Sequence, residues 1–354
     1  MNKVYIFVSF LFYINTSSAQ TVNIPDANFK NYLLSNSLIN TNLDGEIQTT
    51  EANSFTGTIF AENKNIGDLT GIQDFTNLTN LQCWSNQLTT LNLTSNIKLE
   101  ELACGGNQLI SLNLSNNPLL KKIHAVLNQI NTININGLNV LEELNLENNQ
   151  LTTINTSDND SLWSLNLENN LITSLDLSNC AKLKTLALEN NSLTSLDLSN
   201  NTLFTIAILK NNNLNSLNIA NGNNTALSIG LQTTGNPNLT CIEVDDVVYA
   251  NANFTNVDTW SSFSINCFVG INETKNSVIA NIYPNPATSV FNVETTQINL
   301  SYQLINVTGK TVAQGRLKKG KNSINIENTP TGVYFLTAYN QKVAVATQKL
   351  VITH

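Results

Sequence analysis

The sequence predicts an α/β-type solenoid followed by a small all-β sandwich domain, in a chain of 354 residues. A repeating unit carries a fixed asparagine and fixed leucines at constant spacing through the middle of the chain. After residue 267 this period gives way to alternating apolar and polar residues with turn signals such as Thr331-Gly332. The formal charge also changes, from −14 over residues 20–267 to +5 over residues 268–354. Two bodies of opposite charge indicate separate domains with different tasks, and the acidic one is unsuited to nucleic acid.

One asparagine defines the repeat. It recurs seven times at a constant spacing of twenty-one positions, at Asn86, Asn107, Asn128, Asn149, Asn170, Asn191 and Asn212. The unit reads L-x-x-L-x-(L/C)-x-x-N-x-L-x-x-L-x-L, and over about residues 56–235 it resembles the leucine-rich repeat. The resemblance implies a right-handed superhelix with a parallel sheet on its concave side.

The physical chemistry of the repeat supports the same fold. The alternating x-L-x-L-x stretch predicts a short strand with one buried face. A single repeat leaves an apolar edge exposed, so neighbouring repeats must stack, and each buried aliphatic side chain contributes about 1.5–3 kcal/mol. The asparagine carboxamide offers donors and acceptors to backbone groups that leave the strand ladder. We therefore expect these asparagines to be scaffold rather than a binding surface.

Residues 1–19 have the features of a signal peptide. Lys3 precedes an apolar run of eleven residues, and Ser17 and Ala19 are the small residues of a cleavage site. Eleven residues are too few for a membrane-spanning helix. We expect a mature chain that is soluble outside the cytoplasm.

Residues 20–55 are predicted to form an N-terminal cap. Phe29, Leu33 and Leu34 have helical spacing, and Asp26 is placed to cap that helix. The stretch that follows resembles an EF-hand calcium loop, with candidate ligands Asn40, Asn42, Asp44, the carbonyl of Glu46, and Glu51.

Two asparagines weaken this candidate calcium site. Only Asp44 and Glu51 bring charge, so we expect a weak, structural Ca²⁺ site with a dissociation constant of about 10⁻⁴–10⁻³ M. The alternative is a helix-turn-helix cap with ordinary Asn and Gly turn residues.

Residues 236–269 are predicted to form the C-terminal cap. Cys241 and Cys267 flank this segment and are candidates for a disulfide that closes it. Cys83 and Cys104 occupy equivalent inward positions of adjacent repeats, where we expect small buried hydrophobic side chains.

The repeat phase also predicts which side chains face outward on the concave wall. Candidate binding residues on this face are Trp84, His124, Glu143, Glu147, Glu168 and Glu189. Three of the glutamates fall on successive strands, about 5 Å apart, where like charges repel. Such a stripe suits a cationic partner or a metal, but a solvated polar face is the alternative. Trp84 is either an exposed anchor or a residue packed beneath the cap.

Residues 270–277 are predicted to be a linker to a final domain at residues 278–354. The stretches YPNPATSVFNV, INVTGKTV, TGVYFLTA and KLVITH resemble the type A C-terminal sorting domain of type IX secretion, with Tyr283, Pro284, Asn285 and Pro286 as the sorting motif. The resemblance implies an Ig-like sandwich, a Gram-negative bacterium of the Bacteroidota kind, passage across the outer membrane and removal of this domain at the surface. His354 departs from a common basic ending. The alternative is an ordinary adhesive β-sandwich.

The composition argues against catalysis. Only His124 and His354 are histidines, and the sequence contains no nucleophile elbow, phosphate-binding glycine loop or Cys/His metal spacing. We therefore expect a non-enzymatic protein, secreted or on the cell surface, that recognises a protein or glycan on its concave wall. Its other expected partner is the type IX secretion machinery, and we expect neither nucleic acid nor a membrane span. The alternative function is a structural surface-layer or matrix component without a discrete ligand.

Overall fold

The computed structural model describes residues 20–227, 230–267, 279–298, 300–307, 310–340 and 343–354. The expected signal peptide and the expected linker lie outside the described residues. The chain divides into two compact units, residues 1–267 and 268–354. Each unit has its own hydrophobic core.

The first unit opens with two short helices, α1 (Ala27–Ser35) and α2 (Thr49–Ser54). The predicted cap helix is confirmed, since the Asp26 side chain accepts hydrogen bonds from the backbone N–H groups of Asn28 and Phe29. Phe29 and Leu33 are fully buried on its inner face, and Leu34 packs against the same core. This cap covers the apolar edge that the first repeat would otherwise expose.

Short strands then follow, most of them starting about 10 or about 21 residues after the strand before. They are β1 (Thr58–Phe60), β2 (Asn80–Gln82), β3 (Glu101–Ala103), β4 (Ser111–Asn113), β5 (Lys122–His124), β6 (Thr132–Asn134), β7 (Glu143–Asn145), β8 (Ser164–Asn166), β9 (Thr185–Ala187), β10 (Ser195–Asp197), β11 (Ile206–Ile208), β12 (Ser216–Asn218), β13 (Leu231–Gln232), β14 (Cys241–Glu243) and β15 (Ser262–Ser264). Two 3-10 turns (Ile72–Asp74 and Asn224–Leu227) and helix α3 (Val247–Asn253) complete the unit.

Two faces of the solenoid carry these strands. Nine of them pair in parallel in the order β1-β2-β3-β5-β7-β8-β9-β11-β13, which is the predicted wall. On the other side, β4 pairs with β6, and β10, β12, β14 and β15 form a four-stranded parallel sheet. The sequence did not predict these second-face strands.

The repeated asparagines are scaffold, as expected. In the middle of the ladder, the Asn149 side chain donates to the carbonyls of Ala125, Leu146 and Glu147, and its oxygen accepts from Ile130 N. The residue before each repeated asparagine adopts left-handed φ values of +52° to +63°, a conformation that asparagine and glycine tolerate well. Five of these seven positions hold asparagine or glycine.

The C-terminal cap consists of β14, α3 and β15. The structure contains the disulfide Cys241–Cys267, with a Cα–Cα distance of 5.7 Å. Cys83, Cys104 and Cys180 are free and buried. Burial raises the pKa of the Cys104 thiol to about 12 and that of Cys83 well above its usual range, so both behave as small hydrophobic side chains.

The second unit is antiparallel, as the sandwich prediction requires. Its strands are β16 (Ile279–Tyr283), β17 (Val290–Thr295), β18 (Leu300–Asn306), β19 (Thr311–Leu317), β20 (Gly320–Asn325), β21 (Gly332–Asn340) and β22 (Val343–Ile352). One sheet has the order β16-β17-β20 and the other β19-β18-β21-β22. Their core includes Phe291, Leu304, Leu336 and Leu350.

Candidate functional site: the wall of the nine-stranded sheet

The candidate site is the wall, by which we mean the outward face of the nine-stranded sheet. In the eight three-residue strands of this sheet the middle residue is buried, and the first and third residues face the other way. Together with the residue two positions further along the chain, they form three columns that cross the sheet. The first column consists of the first residue of each strand, and from β2 to β9 it holds Asn80, Glu101, Lys122, Glu143, Ser164 and Thr185. The third column consists of the residue two positions after the end of each strand, and over the same repeats it holds Trp84, Gly105, Val126, Glu147, Glu168 and Glu189.

Trp84 lies across the backbone of the next repeat. A Cβ atom added to Gly105 would overlap Cζ3 of the Trp84 ring, and Gly105 is itself buried. Trp84 is half-buried, so the indole packs on Gly105 with one side and keeps part of its surface in solvent. This arrangement differs from both alternatives, because the ring is neither a free anchor nor packed beneath the cap. The role of Gly105 was missed in the sequence, because Gly105 stands between Trp84 and Val126 in its column and has no side chain of its own to suggest a contact.

A ladder of alternating charge lies beside the indole. Asn80 Nδ2 donates to Glu101 Oε2 at 2.7 Å, and Lys122 Nζ is 3.2 Å from Glu143 Oε1. His124 Nε2 is 3.8 Å from the other oxygen of Glu143. The hydrogen bond and charge of Glu143 raise the pKa of Lys122. The repeat phase predicted His124 and Glu143 as site residues but not Asn80, Glu101 and Lys122, although each of these three lies six residues before a repeated asparagine.

The indole and the ladder enclose a depression of about 290 Å³ on the wall. Its lining also includes Gln82, Leu102 and Ala103. The depression therefore combines an aromatic surface, carboxylates, a lysine, an imidazole and carboxamides within four neighbouring strands.

The acidic stripe occupies the next part of the wall. Glu147, Glu168 and Glu189 follow each other on successive repeats, and all three are half-buried. Glu147 accepts from Asn148 Nδ2 at 2.9 Å, whereas in the described part of the chain the Glu168 carboxylate has no hydrogen-bond partner. Desolvation raises the pKa of Glu168 and the charges of Glu147 and Glu189 raise it further, while Lys210, next in the same column, lowers it by less. A raised pKa means that the ionised form of Glu168 is less favourable in the folded chain than in the unfolded chain.

The candidate calcium loop is closed by its own hydrogen bonds. Glu51 Oε1 accepts from Thr41 N at 2.7 Å and from Asn42 N at 3.2 Å, and Oε2 accepts from Gln48 N at 3.0 Å. Asp44 accepts from the side chains of Asn42 and Gln48 and from Glu46 N. The Glu46 carboxylate pairs with Lys30, and the Asn40 side chain donates to Leu34 O.

These contacts do not fit a calcium site. The two carboxylates that carry ligand charge already accept several N–H groups, and Asn42 directs its amide nitrogen at Asp44. Across the residues that the structure describes, no three His, Cys, Asp or Glu side chains form a group that could hold a metal. The geometry instead supports the second alternative, a cap closed by turn residues, with the capping box of α2 formed by Gln48 and Glu51.

We expect Glu51→Gln to lower the free energy of unfolding by about 1–2 kcal/mol, because the amide nitrogen cannot accept from one set of N–H groups. Burial raises the pKa of Glu51, but hydrogen bonds from Gln48, Thr41 and Asn42 lower it by more, so the net pKa lies below the ordinary value of 4.5. A lowered folded pKa gives stabilisation that is complete above the ordinary value and is lost as the pH falls through the folded value. The difference between parent and variant should therefore shrink in acid, as measured by denaturant unfolding.

Calcium provides the control for this prediction. Because the loop closes on itself, about 10 mM CaCl₂, some tenfold above the weakest constant expected for such a loop, should leave the melting temperature of the parent unchanged. A rise with calcium that Glu51→Gln abolishes would instead establish a metal site.

The sorting motif of the second unit contacts the last strand. Asn285 Nδ2 donates to Lys349 O at 2.9 Å, and Asn285 Oδ1 accepts from Val351 N at 2.8 Å. Ala287 N donates to Val351 O, and Thr353 N donates to Ala287 O, each at 2.8 Å. The YPNP and KLVITH stretches come from opposite ends of the domain sequence and form one side of the domain, which their spacing alone did not reveal.

Two family comparisons agree with this architecture. Residues 281–353 match the family described as a secretion system C-terminal sorting domain. Residues 45–170 match the leucine-rich-repeat domain of the endo-beta-N-acetylglucosaminidase EndoS. The chain is a leucine-rich-repeat protein with a type IX sorting domain. Through that domain it is exported by type IX secretion to the cell surface or beyond.

Solved structures of other proteins are similar to this leucine-rich-repeat protein. Internalin C2 of Listeria monocytogenes is 21% identical, with a TM-score of 0.45, and the match covers 69% of this chain and 97% of the internalin. A leucine-rich-repeat protein of Leptospira interrogans is 24% identical, with a TM-score of 0.43, over 56% of this chain and 53% of the other. No curated protein matches the sequence. Within its described residues, the chain has no helix long and apolar enough to cross a membrane.

Proposed function

We propose that the wall binds an external partner, a protein or a glycan, and that the protein acts as a non-catalytic binding module after export. The observation that carries this proposal is the acidic stripe. Glu147, Glu168 and Glu189 are half-buried like charges, and their repulsion contributes to the raised pKa of Glu168. The fold does not need acids there, because the same column holds Trp84 and Gly105 in earlier repeats. Residues that cost stability and serve no packing role are typical of binding surfaces.

The test compares the parent with a triple variant, Glu147→Gln, Glu168→Gln and Glu189→Gln. Because like-charge repulsion is removed, the variant should melt at the same temperature as the parent or higher. The full chain is screened against a glycan array and purified surface proteins. A partner of the wall should lose affinity for the triple variant by about tenfold or more, together with part of its salt dependence.

Asp176→Asn with Asp197→Asn is the matched control. Each of these aspartates accepts a backbone hydrogen bond two residues away, which asparagine can still accept, and neither lies on the wall. The control should bind as the parent does. Finding no saturable partner, together with concentration-dependent self-association in sedimentation, would support a structural surface component and contradict the proposal.

A further inference from the structure

The depression beside Trp84 has a built aromatic side. Gly105 is the residue that allows it, because any larger side chain would occupy the space of the indole ring. The ring is held against the sheet while part of it remains exposed. An aromatic surface fixed in this way can receive a flat apolar face of a ligand at little cost in side-chain entropy.

The polar side of the depression alternates donors and acceptors. The Glu101 and Glu143 carboxylates accept, Lys122 donates, and the Gln82 carboxamide does both, whereas Asn80 Oδ1 is buried and its Nδ2 already donates to Glu101. Hydroxyl groups also donate and accept at once, so a polyhydroxylated ring matches such a lining. A basic side chain fits less well, because Lys122 already occupies the cationic position between the two carboxylates and contacts Glu143.

Size limits what the depression can hold. Its volume of about 290 Å³ is at the lower end of ligand pockets, which span about 300–1,000 Å³. The volume suits one ring of a longer chain, with the remainder lying along the open wall.

From these three observations we infer that the depression is a subsite for one neutral pyranose ring of a glycan, stacked on Trp84 and hydrogen-bonded by Glu101 and Glu143. This inference rests on the proposed binding role of the wall. Trp84, Glu101 and Glu143 would contact the sugar, and Gly105 is a positioning residue that acts through Trp84.

The probes are the methyl pyranosides of glucose, galactose, mannose and N-acetylglucosamine, added to the full chain. We expect at least one of them to shift the indole N–H resonance of Trp84 saturably, with a dissociation constant on the order of 1 mM for a single ring. The indole N–H resonance of Trp84 is assigned as the one that disappears in Trp84→Phe, a variant chosen because it keeps an aromatic ring and the fold. A neutral ligand should bind equally well from about 50 mM to about 500 mM salt.

Two kinds of variant test the geometry. Trp84→Ala and Glu101→Ala should each weaken binding by about tenfold or more, since each removes a proposed contact. Gly105→Ala should also weaken sugar binding by about tenfold or more, and in the parent it should change the melting temperature because the added methyl group clashes with the indole. When Gly105→Ala is added to Trp84→Ala, the melting temperature should not change further, because no ring is left to clash. Asp197→Asn should bind as the parent does.

Three results would overturn the inference. They are an unchanged Trp84 resonance with all four sugars, binding that survives Trp84→Ala, and steeply salt-dependent binding of a lysine-rich or arginine-rich peptide at Trp84 in place of a sugar. If the sugars fail but a partner dependent on the acidic stripe is found, the inference falls and the proposed function is retained. If the screen of the wall also yields no partner, both fall.

Discussion

Replacing Asn170 by leucine should lower the free energy of unfolding by about 3 kcal/mol, whereas the same replacement of Asn159 should cost less than about 1 kcal/mol. Both asparagines are buried, and both belong to ladders that follow the period of the repeat. The two ladders differ in which backbone groups depend on them.

Asn170 belongs to the ladder beside the wall. Its Oδ1 accepts from Leu151 N at 3.0 Å, and that N–H has no other acceptor among the described residues. Its Nδ2 donates to the carbonyls of Leu146 and Leu167. Leucine would orphan one buried N–H, at about 1–3 kcal/mol, and remove further hydrogen bonds from the two carbonyls.

Asn159 belongs to the second ladder, on the other side of the solenoid. Its Nδ2 donates to the carbonyls of Ile135 and Leu138, but these already accept from Leu138 N and Leu141 N. Its Oδ1 is buried without a hydrogen-bond partner in the described structure. Removing this desolvated oxygen offsets the loss of the two donated bonds. The same position holds leucine and cysteine in two other repeats, so the site accommodates an apolar side chain.

Denaturant unfolding of the parent and the two variants measures this contrast. The transition midpoint should fall strongly for Asn170→Leu and little for Asn159→Leu, with unchanged slopes. Equal losses at the two positions would contradict the assignment of different roles to the ladders.

The structural features that recur in every repeat were predictable from the sequence. The solenoid, its parallel wall and the scaffold role of the repeated asparagines follow from spacing, because a buried position must recur in every repeat. The second ladder was within reach of the same reasoning, since Asn96, Asn117 and Asn201 also lie on this period, but Leu138 and Cys180 interrupt it.

The candidate site was only partly predictable, because it depends on contacts between unlike residues. Nothing in a periodic pattern shows that Trp84 packs on the glycine one repeat later, or that Lys122 pairs with Glu143 in the next strand. The contacts within the candidate calcium loop were unpredictable for a related reason. The spacing of its ligands matches an EF-hand, but the structure uses Glu51 to accept from the backbone of its own loop.

Removing the Cys241–Cys267 disulfide should lower the free energy of unfolding by about 3–4 kcal/mol. The bridge closes a loop with a sequence separation of 26, and this loop contains α3 and β15. In an unfolded chain without the bridge the loop gains conformational freedom, which favours the unfolded state. The effect should be concentrated in the cap, because in a solenoid each repeat contacts only its neighbours.

The position of the bridge is the physical reason for expecting a large effect on the cap. Strand β15 is the edge of the four-stranded sheet and pairs with β14 alone, over three residues. Outside this ladder, Phe254 and Phe263 pack edge to face at 5.8 Å, and the Ser261 and Ser262 hydroxyls donate to the carbonyls of Leu239 and Thr240. Once β15 detaches, the buried Ile242 loses its neighbour Phe263 and β14 becomes the exposed edge of the sheet.

The experiment pairs a double variant, Cys241→Ala with Cys267→Ala, with chemical reduction of the parent. Both treatments should lower the melting temperature by the same amount, and hydrogen exchange should show the largest loss of protection in β14, α3 and β15. Reductant should have no further effect on the double variant, because Cys83, Cys104 and Cys180 are already free. If the double variant melts as the parent does, the cap is held by packing alone and the entropic argument is wrong.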